Sequence, residues 1–242
     1  MIAYRRPHWT RSPDWTRSPH WTRAVPWARW ALLALLGFGS SLAAARHHAR
    51  GDASDGVAGQ FDYYLMSLSW SPTYCLTHPQ DGAQCRGKGL GFVLHGLWPQ
   101  YDAGGYPQHC TDSTLSADDE TLGERLCPSP KLVRHEWAQH GTCSGMDAAT
   151  YFRTADHATA VVRIPAVFEA PATSLLMTDN EITAAFRAAN PSLPERAMTV
   201  SCSRGQLAEV RICLTRELAP RSCGRGVHSS CPHAPVQIRS TR

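Results

Sequence analysis

The most informative stretch of this sequence is His135-Glu136-Trp137-Ala138-Gln139-His140-Gly141-Thr142-Cys143. Together with the proline at position 130, the pattern predicts a helix over residues 130–140 that ends at Gly141. Glu136 and His140 are four residues apart and would share one face of this helix, so the carboxylate could orient or charge the imidazole. The stretch therefore predicts an acid–base pair at the end of a helix.

A second histidine block lies upstream, in His95-Gly96-Leu97-Trp98-Pro99. The apolar pattern predicts a strand over residues 89–97, which would deliver His95 at its end. Histidine both accepts and donates a proton near neutral pH, so two histidines can serve a reaction that needs one base and one acid. Found together, the two blocks favour a catalytic site over two unrelated structural histidines.

A zinc site is the main alternative interpretation of the second block. The metalloprotease motif places two histidines four residues apart on one helical face, with a glutamate between them. Here His135 and His140 are five residues apart, which rotates them away from each other on a helix. The spacing therefore favours acid–base chemistry over a zinc site. No cofactor is expected.

The rest of the sequence predicts a mixed fold. Further strands are expected at residues 61–70, 198–203 and 206–215, the last two forming a hairpin, and further helices at 116–126, 148–161 and 179–190. Strands and helices do not alternate regularly, which favours an α+β fold over a doubly wound sheet. The 197 residues after position 45 suffice for one well-buried domain rather than two.

The first 45 residues are typical of a targeting segment. A basic region precedes an apolar run from Trp30 to Phe38, and Ala43-Ala44-Ala45 matches an A-x-A cleavage pattern. This interpretation divides the chain into a cleaved segment at 1–45, a flexible N-terminus at 46–60, one domain at 61–235 and a tail at 236–242. It predicts a secreted or periplasmic protein that has no membrane association after cleavage.

The net charge of +4 depends on this leader. Without its six arginines and one aspartate, 18 basic residues remain against 19 acidic ones. The domain is therefore close to neutral and lacks the general basic surface that long-range attraction to nucleic acid would need. Any affinity for nucleic acid must come from local contacts.

All 9 cysteines follow position 45, as expected for a protein that folds in an oxidising compartment. The odd number leaves at least one cysteine unpaired or bonded to another molecule. Eight cysteines allow about 105 connectivities, so the spacing alone selects none of them.

The two histidine blocks resemble the active-site segments of the ribonuclease T2 family. Its first strand and first half-cystine resemble the stretch from Phe61-Asp62-Tyr63-Tyr64 through Ser69-Trp70-Ser71-Pro72-Thr73-Tyr74-Cys75. The resemblance covers about residues 61–231 and implies a single α+β domain with a central antiparallel sheet flanked by helices. It also implies four disulfides, Cys75–Cys85, Cys110–Cys143, Cys202–Cys231 and Cys213–Cys223. Cys127 is then left over and is expected to be a small buried residue.

Members of this family are endoribonucleases that cut single-stranded RNA through a 2′,3′-cyclic phosphate. The resemblance implies that His140 removes the proton from the 2′-hydroxyl and that His95 protonates the departing 5′-oxygen. His135, as a cation, and Glu136 would contact the phosphate. The substrate would be single-stranded RNA and not DNA, no metal would be required, and the protein would act as a monomer.

Trp98 and Tyr106 are the expected base-binding residues. Trp98 follows His95 by three residues in a segment rigidified by Pro99, and Tyr106 aligns with the family's base-site tyrosine. The two rings could sandwich a base, although large aromatic residues also fill cores. Trp137 is expected to serve only in packing.

Gln139 departs from the family pattern, which commonly has lysine immediately before the last histidine of the second block. A neutral amide can donate a hydrogen bond to the phosphate but cannot neutralise developing charge, so the departure concerns the rate rather than the reaction type.

Two alternatives to an active ribonuclease stay open. One is a catalytically weakened RNA-binding or toxin-like relative; the other is a disulfide-rich secreted interaction module, which would leave the paired histidine blocks unexplained.

Overall fold

A six-stranded sheet organises residues 56–242, the part of the chain that the computed structural model describes. Its strands are β1 (Tyr63–Trp70), β2 (Phe92–Gln100), β3 (Leu175–Met177), β4 (Met198–Ser203), β5 (Gln206–Leu214) and β6 (Val236–Ile238). They run in the order β2-β1-β5-β6-β3, and β4 also pairs with β5. All pairs are antiparallel except for a single parallel pair between β5 and β6.

The helices of the described residues surround this sheet. They are α1 (Ser71–Thr77), α2 (Gly82–Cys85), α3 (Ala117–Glu124), α4 (Pro130–Gln139), α5 (Ala148–Val161) and α6 (Asp179–Ala189), with short 3₁₀ helices at Gly141–Ser144 and Ala166–Phe168. Capping boxes at Ser116 and Thr178 begin α3 and α6 by satisfying their first free N–H groups. The predicted α+β fold is confirmed.

Strand β1 lies at the centre of the sheet and is buried along its whole length. One face carries large apolar side chains that join the main core, namely Tyr64, Met66, Leu68 and Trp70. The opposite face includes two small residues, Ser67 and Ser69, both buried. Because side chains alternate along a strand, these serines leave room on that face for longer side chains from the neighbouring strands.

The structure contains the four disulfides that the resemblance implies. Cys110–Cys143 joins the segment after β2 to the 3₁₀ helix that follows α4, so it links the two histidine-bearing elements. Cys127 is free and buried. Burial, with a contribution from the charge of Glu136, raises the pKa of the Cys127 thiol to about 12, so this side chain stays neutral and acts in packing.

Several expectations about element boundaries need correction. Strand β2 begins at Phe92 and ends at Gln100 rather than covering residues 89–97, so His95 lies within the strand and not at its end. Helix α4 ends at Gln139 rather than His140, because the chain turns there into a 3₁₀ helix. The expected tail at 236–242 begins with β6, whose Val236 and Ile238 are buried; three residues are too few to show a strand period. Residues 56–60 are not a free terminus, since the Gly59 N–H donates to the Cys143 carbonyl.

The predicted targeting segment at 1–45 and most of the predicted N-terminus at 46–60 lie outside the described residues. Between residues 56 and 242, no helix is long and apolar enough to cross a membrane.

Candidate active site

His95 is the extra residue of a β-bulge. Strands β1 and β2 pair Ser67 with Gly96 and Leu68 with Leu94, so His95 has no partner of its own. A bulge re-aims a side chain out of the regular alternation. The imidazole of His95 reaches the face of the sheet that carries Ser67, away from the main core, where it meets side chains from β5 and α4.

Two carboxylates flank the His95 ring. Glu209 on β5 lies 2.6 Å from Nδ1, and Glu136 on α4 lies 3.4 Å from Nε2. Because an ionised carboxylate can only accept a hydrogen bond, Nδ1 carries the proton in its bond to Glu209. Burial opposes charge on His95, but the bond to Glu209 and the charges of both carboxylates outweigh it, so the pKa of His95 lies above its usual value.

Glu136 is only 2% exposed, and its Oε2 accepts a 2.6 Å hydrogen bond from Trp98 Nε1. Burial raises the pKa of Glu136 to about 7, although the charge of His95 and the bond from Trp98 oppose the shift. A Cβ atom at Gly96 would overlap both Glu136 Oε2 and Trp98 Nε1, so the glycine makes this approach possible. The expected pairing of Glu136 with His140 is wrong, because this carboxylate contacts the first histidine block instead.

His140 lies just after α4, outside helical geometry, and is 8% exposed. Its ring centroid is 5.1 Å from that of Trp98 and 5.6 Å from that of Tyr106. Its Nδ1 is buried and forms no hydrogen bond with any residue between 56 and 242. Burial, reinforced by the charges of His135, His95 and His109, lowers the pKa of His140 to about 3. This imidazole is therefore neutral over the ordinary pH range.

Trp98 separates the two histidines. Its ring centroid lies 5.3 Å from that of His95 and 5.1 Å from that of His140. Tyr106 contacts His140 and is 47% exposed, so its ring is open to solvent. The structure thus brings together His95, Trp98, Tyr106, Glu136 and His140, which the sequence predicted as site residues.

His135 and Gln139 lie at the edge of this group. His135 is exposed on α4, and burial together with the charges of His95, His109 and Lys131 lowers its pKa. The Gln139 amide donates to Gln108 Oε1 rather than projecting freely. The backbone N–H of His109 donates to the Gln139 carbonyl, which brings an exposed histidine without a predicted role close to the site. Trp137, as expected, packs in the core.

Sequence reasoning missed Glu209 and Arg211. Arg211 donates to Glu209 Oε2 from Nε at 2.8 Å and from a terminal nitrogen at 2.6 Å, and its guanidinium lies 5.5 Å from the Trp98 ring centroid. Both charged residues fall on the polar side of the alternating pattern of β5. The alternation in β5 is typical of a strand with one solvated or functional face. It does not indicate which other strands of the sheet lie near that face.

A cavity of about 170 Å³ lies beside His95 and Glu209. Its other lining residues come from β1, α1, α2, α4 and the β4–β5 hairpin and include Tyr74, Leu76, Leu132 and Gln206. No group of three or more histidine, cysteine or acidic side chains in the described part of the chain could hold a metal ion. The histidines and carboxylates beside this half-open, largely apolar space can transfer protons.

A model of the Ribonuclease T2 family matches residues 61–223, which is most of the described chain. This chain belongs to the ribonuclease T2 family. A ribonuclease of Aeromonas hydrophila is 52% identical over 100 residues, covering 41% of this chain and 46% of that protein. Ribonuclease DdI of Dictyostelium discoideum is 28% identical over 177 residues, covering 65% of this chain and 75% of its own. The alignment with the bacterial relative thus spans about half of that protein.

Solved structures show the same fold. An RNase-related protein from Calystegia sepium superposes with a TM-score of 0.59 and 22% identity, covering 74% of this chain and 97% of its own. A variant of RNase MC1 in complex with 5′-UMP gives a TM-score of 0.56 and 21% identity, covering 74% of this chain and 98% of its own. The expected family and fold are both confirmed.

Proposed function

We propose that this chain is an endoribonuclease that cleaves single-stranded RNA by attack of the 2′-hydroxyl on the adjacent phosphorus. The observation that carries the proposal is the pair His95 and His140, which lie on either side of Trp98 with opposite pKa shifts. A reaction that needs one imidazole as acid and one as base is favoured by such a difference, because at one pH it leaves the first ring charged and the second neutral.

In the first step, His140 accepts the proton of the 2′-hydroxyl while the 2′-oxygen forms a bond to phosphorus. The bond from phosphorus to the 5′-oxygen breaks, and His95 Nε2 donates its proton to that oxygen. The products are a 2′,3′-cyclic phosphate and a free 5′-hydroxyl. The two histidines then exchange roles when water opens the cyclic phosphate, so neither is consumed and no redox step occurs.

Glu136, His135 and Gln139 are assigned to the phosphate. The raised pKa of Glu136 means that this carboxyl is protonated below about pH 7, and Oε2 already accepts from Trp98. A proton on Oε1 could therefore be donated to a phosphoryl oxygen. His135 is exposed and would gain its proton when a phosphate anion binds beside it, while Gln139 could offer only a neutral amide.

The surroundings of the two histidines suggest where the nucleosides lie. Tyr106 and Trp98 contact His140, the proposed base, and would stack the nucleobase whose ribose carries the attacking hydroxyl. The cavity beside His95, the proposed acid, would receive the nucleoside that departs with the 5′-oxygen. Among related structures, an RNase MC1 variant is in complex with 5′-UMP and RNase NT is in complex with 5′-AMP, which accords with nucleotide binding here.

We further propose that the mature protein acts outside the cytoplasm, in a periplasm or as a secreted monomer, and does not act on DNA. Four disulfides in one domain support an oxidising compartment. The lack of a 2′-hydroxyl removes the nucleophile from DNA.

Matched RNA and DNA oligonucleotides test the proposal directly. The oxidised protein lacking residues 1–45 should cleave the RNA in the presence of a chelator and leave the DNA intact, with cyclic phosphate ends appearing before 3′-phosphate ends. Cleavage of the DNA, or direct release of 5′-phosphate ends, would contradict it. Binding of the RNA without cleavage would support the weakened, RNA-binding alternative instead.

A further inference from the structure

Glu209 connects the imidazole of His95 to the guanidinium of Arg211. Its Oε1 accepts from His95 Nδ1 at 2.6 Å, and its Oε2 accepts from Arg211 at 2.6 and 2.8 Å. Both carboxylate oxygens are thus engaged, and the side chain is only 12% exposed. A carboxylate held at both oxygens cannot turn away without losing these three charge-assisted hydrogen bonds.

The contact spans the full width of β1. His95 lies on β2 and Glu209 on β5, and β1 runs between them, so the two backbones are about two strand spacings, roughly 10 Å, apart. Glu209 is paired with Ser69, and Arg211 with Ser67. Only small side chains at these two positions of β1 allow a long carboxylate to reach across the strand to the bulged histidine.

We propose that Glu209 is a positioning residue for His95, an inference that rests on the proposed function. Glu209 fixes the Nδ1 proton of His95, so that the proton on Nε2 is the one available to the departing 5′-oxygen. Arg211 holds Glu209 in the orientation that this requires. Glu209 itself contacts the far side of the His95 ring and none of the reacting atoms.

The two carboxylates beside His95 have different tasks. Burial opposes charge on Glu209, but the bond from His95 and the charges of His95 and Arg211 lower its pKa to about 2. Burial raises the pKa of Glu136 to about 7, and Glu136 faces the same Nε2 atom that must meet the substrate. Glu136 must therefore give way to the phosphate during the reaction, whereas Glu209 remains an anion behind the ring.

Other charged and titratable groups also act on His95. Arg211 lowers the pKa of His95 through its charge, and the imidazoles of His135 and His140 lie close enough for their charges to couple with His95. Cys127, a neutral thiol, donates to the His95 carbonyl and contributes no charge. Removal of Glu209 leaves Glu136 as the other carboxyl beside the ring, and Glu136 is itself protonated below about pH 7, so the pKa of His95 should fall.

The test compares the pH dependence of kcat/KM in the wild type and in Glu209→Gln. Glutamine preserves the size of the side chain and one acceptor but removes the charge. The alkaline limb, which reports loss of the His95 proton, should move down by about one pH unit, with a loss of roughly tenfold at pH 7.5 and a smaller one at pH 5. Glu217→Gln, which removes an exposed carboxylate just after β5, should leave the profile unchanged.

The ring protons of His95 provide a second readout that does not depend on activity. In an NMR titration the pKa of His95 should be lower in Glu209→Gln than in the wild type.

If Glu209→Gln fails to fold, Glu209→Asp is the second variant. It keeps the charge but shortens the side chain, and it should lower kcat more than it raises KM. An unchanged alkaline limb and an unchanged His95 pKa in a folded variant would overturn the inference. Absence of RNA cleavage by the wild type would instead contradict the proposed function, and the titration would still decide the role of Glu209.

Discussion

His95 and His140 have the same type of side chain, but the surroundings of the two rings differ. His95 lies on the strand side of the site, in β2, and His140 lies on the helix side, just after α4. On the strand side, Glu209 and Glu136 flank His95 at 2.6 and 3.4 Å. On the helix side, His140 is packed against two aromatic rings and lies within the influence of other histidines. Anions favour the charged form of one ring, and burial and like charges favour the neutral form of the other.

The difference shows how one residue type can supply both an acid and a base. If both rings titrated near the usual value for histidine, no pH would leave one largely charged and the other largely neutral. The surroundings separate the two pKa values, and Trp98 keeps the rings apart while donating to Glu136.

The largest effect is expected from removing either imidazole. His95→Ala or His140→Ala should each lower kcat on RNA by about 10²–10⁴-fold, because each abolishes one proposed proton transfer. His233→Ala, which removes an exposed histidine, should leave kcat unchanged. A folded His95→Ala or His140→Ala variant that retained most of its activity would remove that residue from the mechanism.

Gly96→Ala should disturb the contact that joins the two sides of the site. The added methyl would overlap Glu136 Oε2 and Trp98 Nε1, so the carboxylate and indole must move apart. A displacement of about 1 Å among reacting groups can cost roughly 10²-fold in rate, and we expect a loss of that order in kcat. Gly82→Ala is the matched control, because its methyl would face only the flexible Arg86 side chain. Equal kcat values for the two variants would contradict the close approach.

Removal of the disulfide between the two sides should lower stability. Replacing Cys110 and Cys143 by serine opens a loop of 33 residues and should reduce the free energy of unfolding by about 2–4 kcal/mol, with a parallel loss of activity near the transition temperature. Cys127→Ser should be mild by comparison. Denaturant titration of both variants measures the difference. Peptide mapping of the wild type that found Cys127 bonded and Cys110 or Cys143 free would refute the pairing.

Glu136→Gln should raise the stability of the folded protein at alkaline pH while it lowers activity. The pKa of Glu136 is about 7 in the folded protein, against 4.5 for an unperturbed carboxyl, so the folded state binds the proton more tightly. The wild type therefore loses stability as the pH rises through this window, and the glutamine variant does not. We expect the variant to gain roughly 1–3 kcal/mol relative to the wild type at pH 8 and little at pH 4, while kcat falls. If the variant lost as much stability between pH 4 and pH 8 as the wild type does, folding would not raise the pKa of Glu136.

The smallest effect is expected from Gln139→Lys. A lysine would place a cation near the developing negative charge but would first have to give up the contact with Gln108, so we expect kcat to rise roughly two- to tenfold. Ala138→Lys adds the same charge at a neighbouring exposed position and should do little. Steady-state kinetics on a dinucleotide would decide, since an unchanged or lower kcat at every pH would show that position 139 does not face the phosphate.

Local patterns were sufficient to predict the fold class and most of the site. The bounds of α5 and β4 matched the predicted ranges, because caps and turn residues mark them in the sequence. Two short motifs were enough to nominate His95, Trp98, Glu136 and His140 as neighbours, and the structure brings their side chains together.

The missed residues depend on long-range register. Glu209 lies 114 positions after His95, and their contact requires both the pairing of β1 with β5 and the bulge in β2. No local period encodes either feature. Glu136 was assigned to the wrong histidine for a related reason, since helical spacing alone does not show that the helix ends one residue before His140.

The pKa values of the two histidines in the wild-type protein test the central claim most directly. An NMR titration of the imidazole resonances, assigned with His95→Ala and His140→Ala, would measure both in the absence of substrate. We predict that His95 titrates above the usual value of about 6.5 and that His140 stays neutral until the pH falls far below it. Two similar values near 6.5, or a higher value for His140 than for His95, would contradict the account.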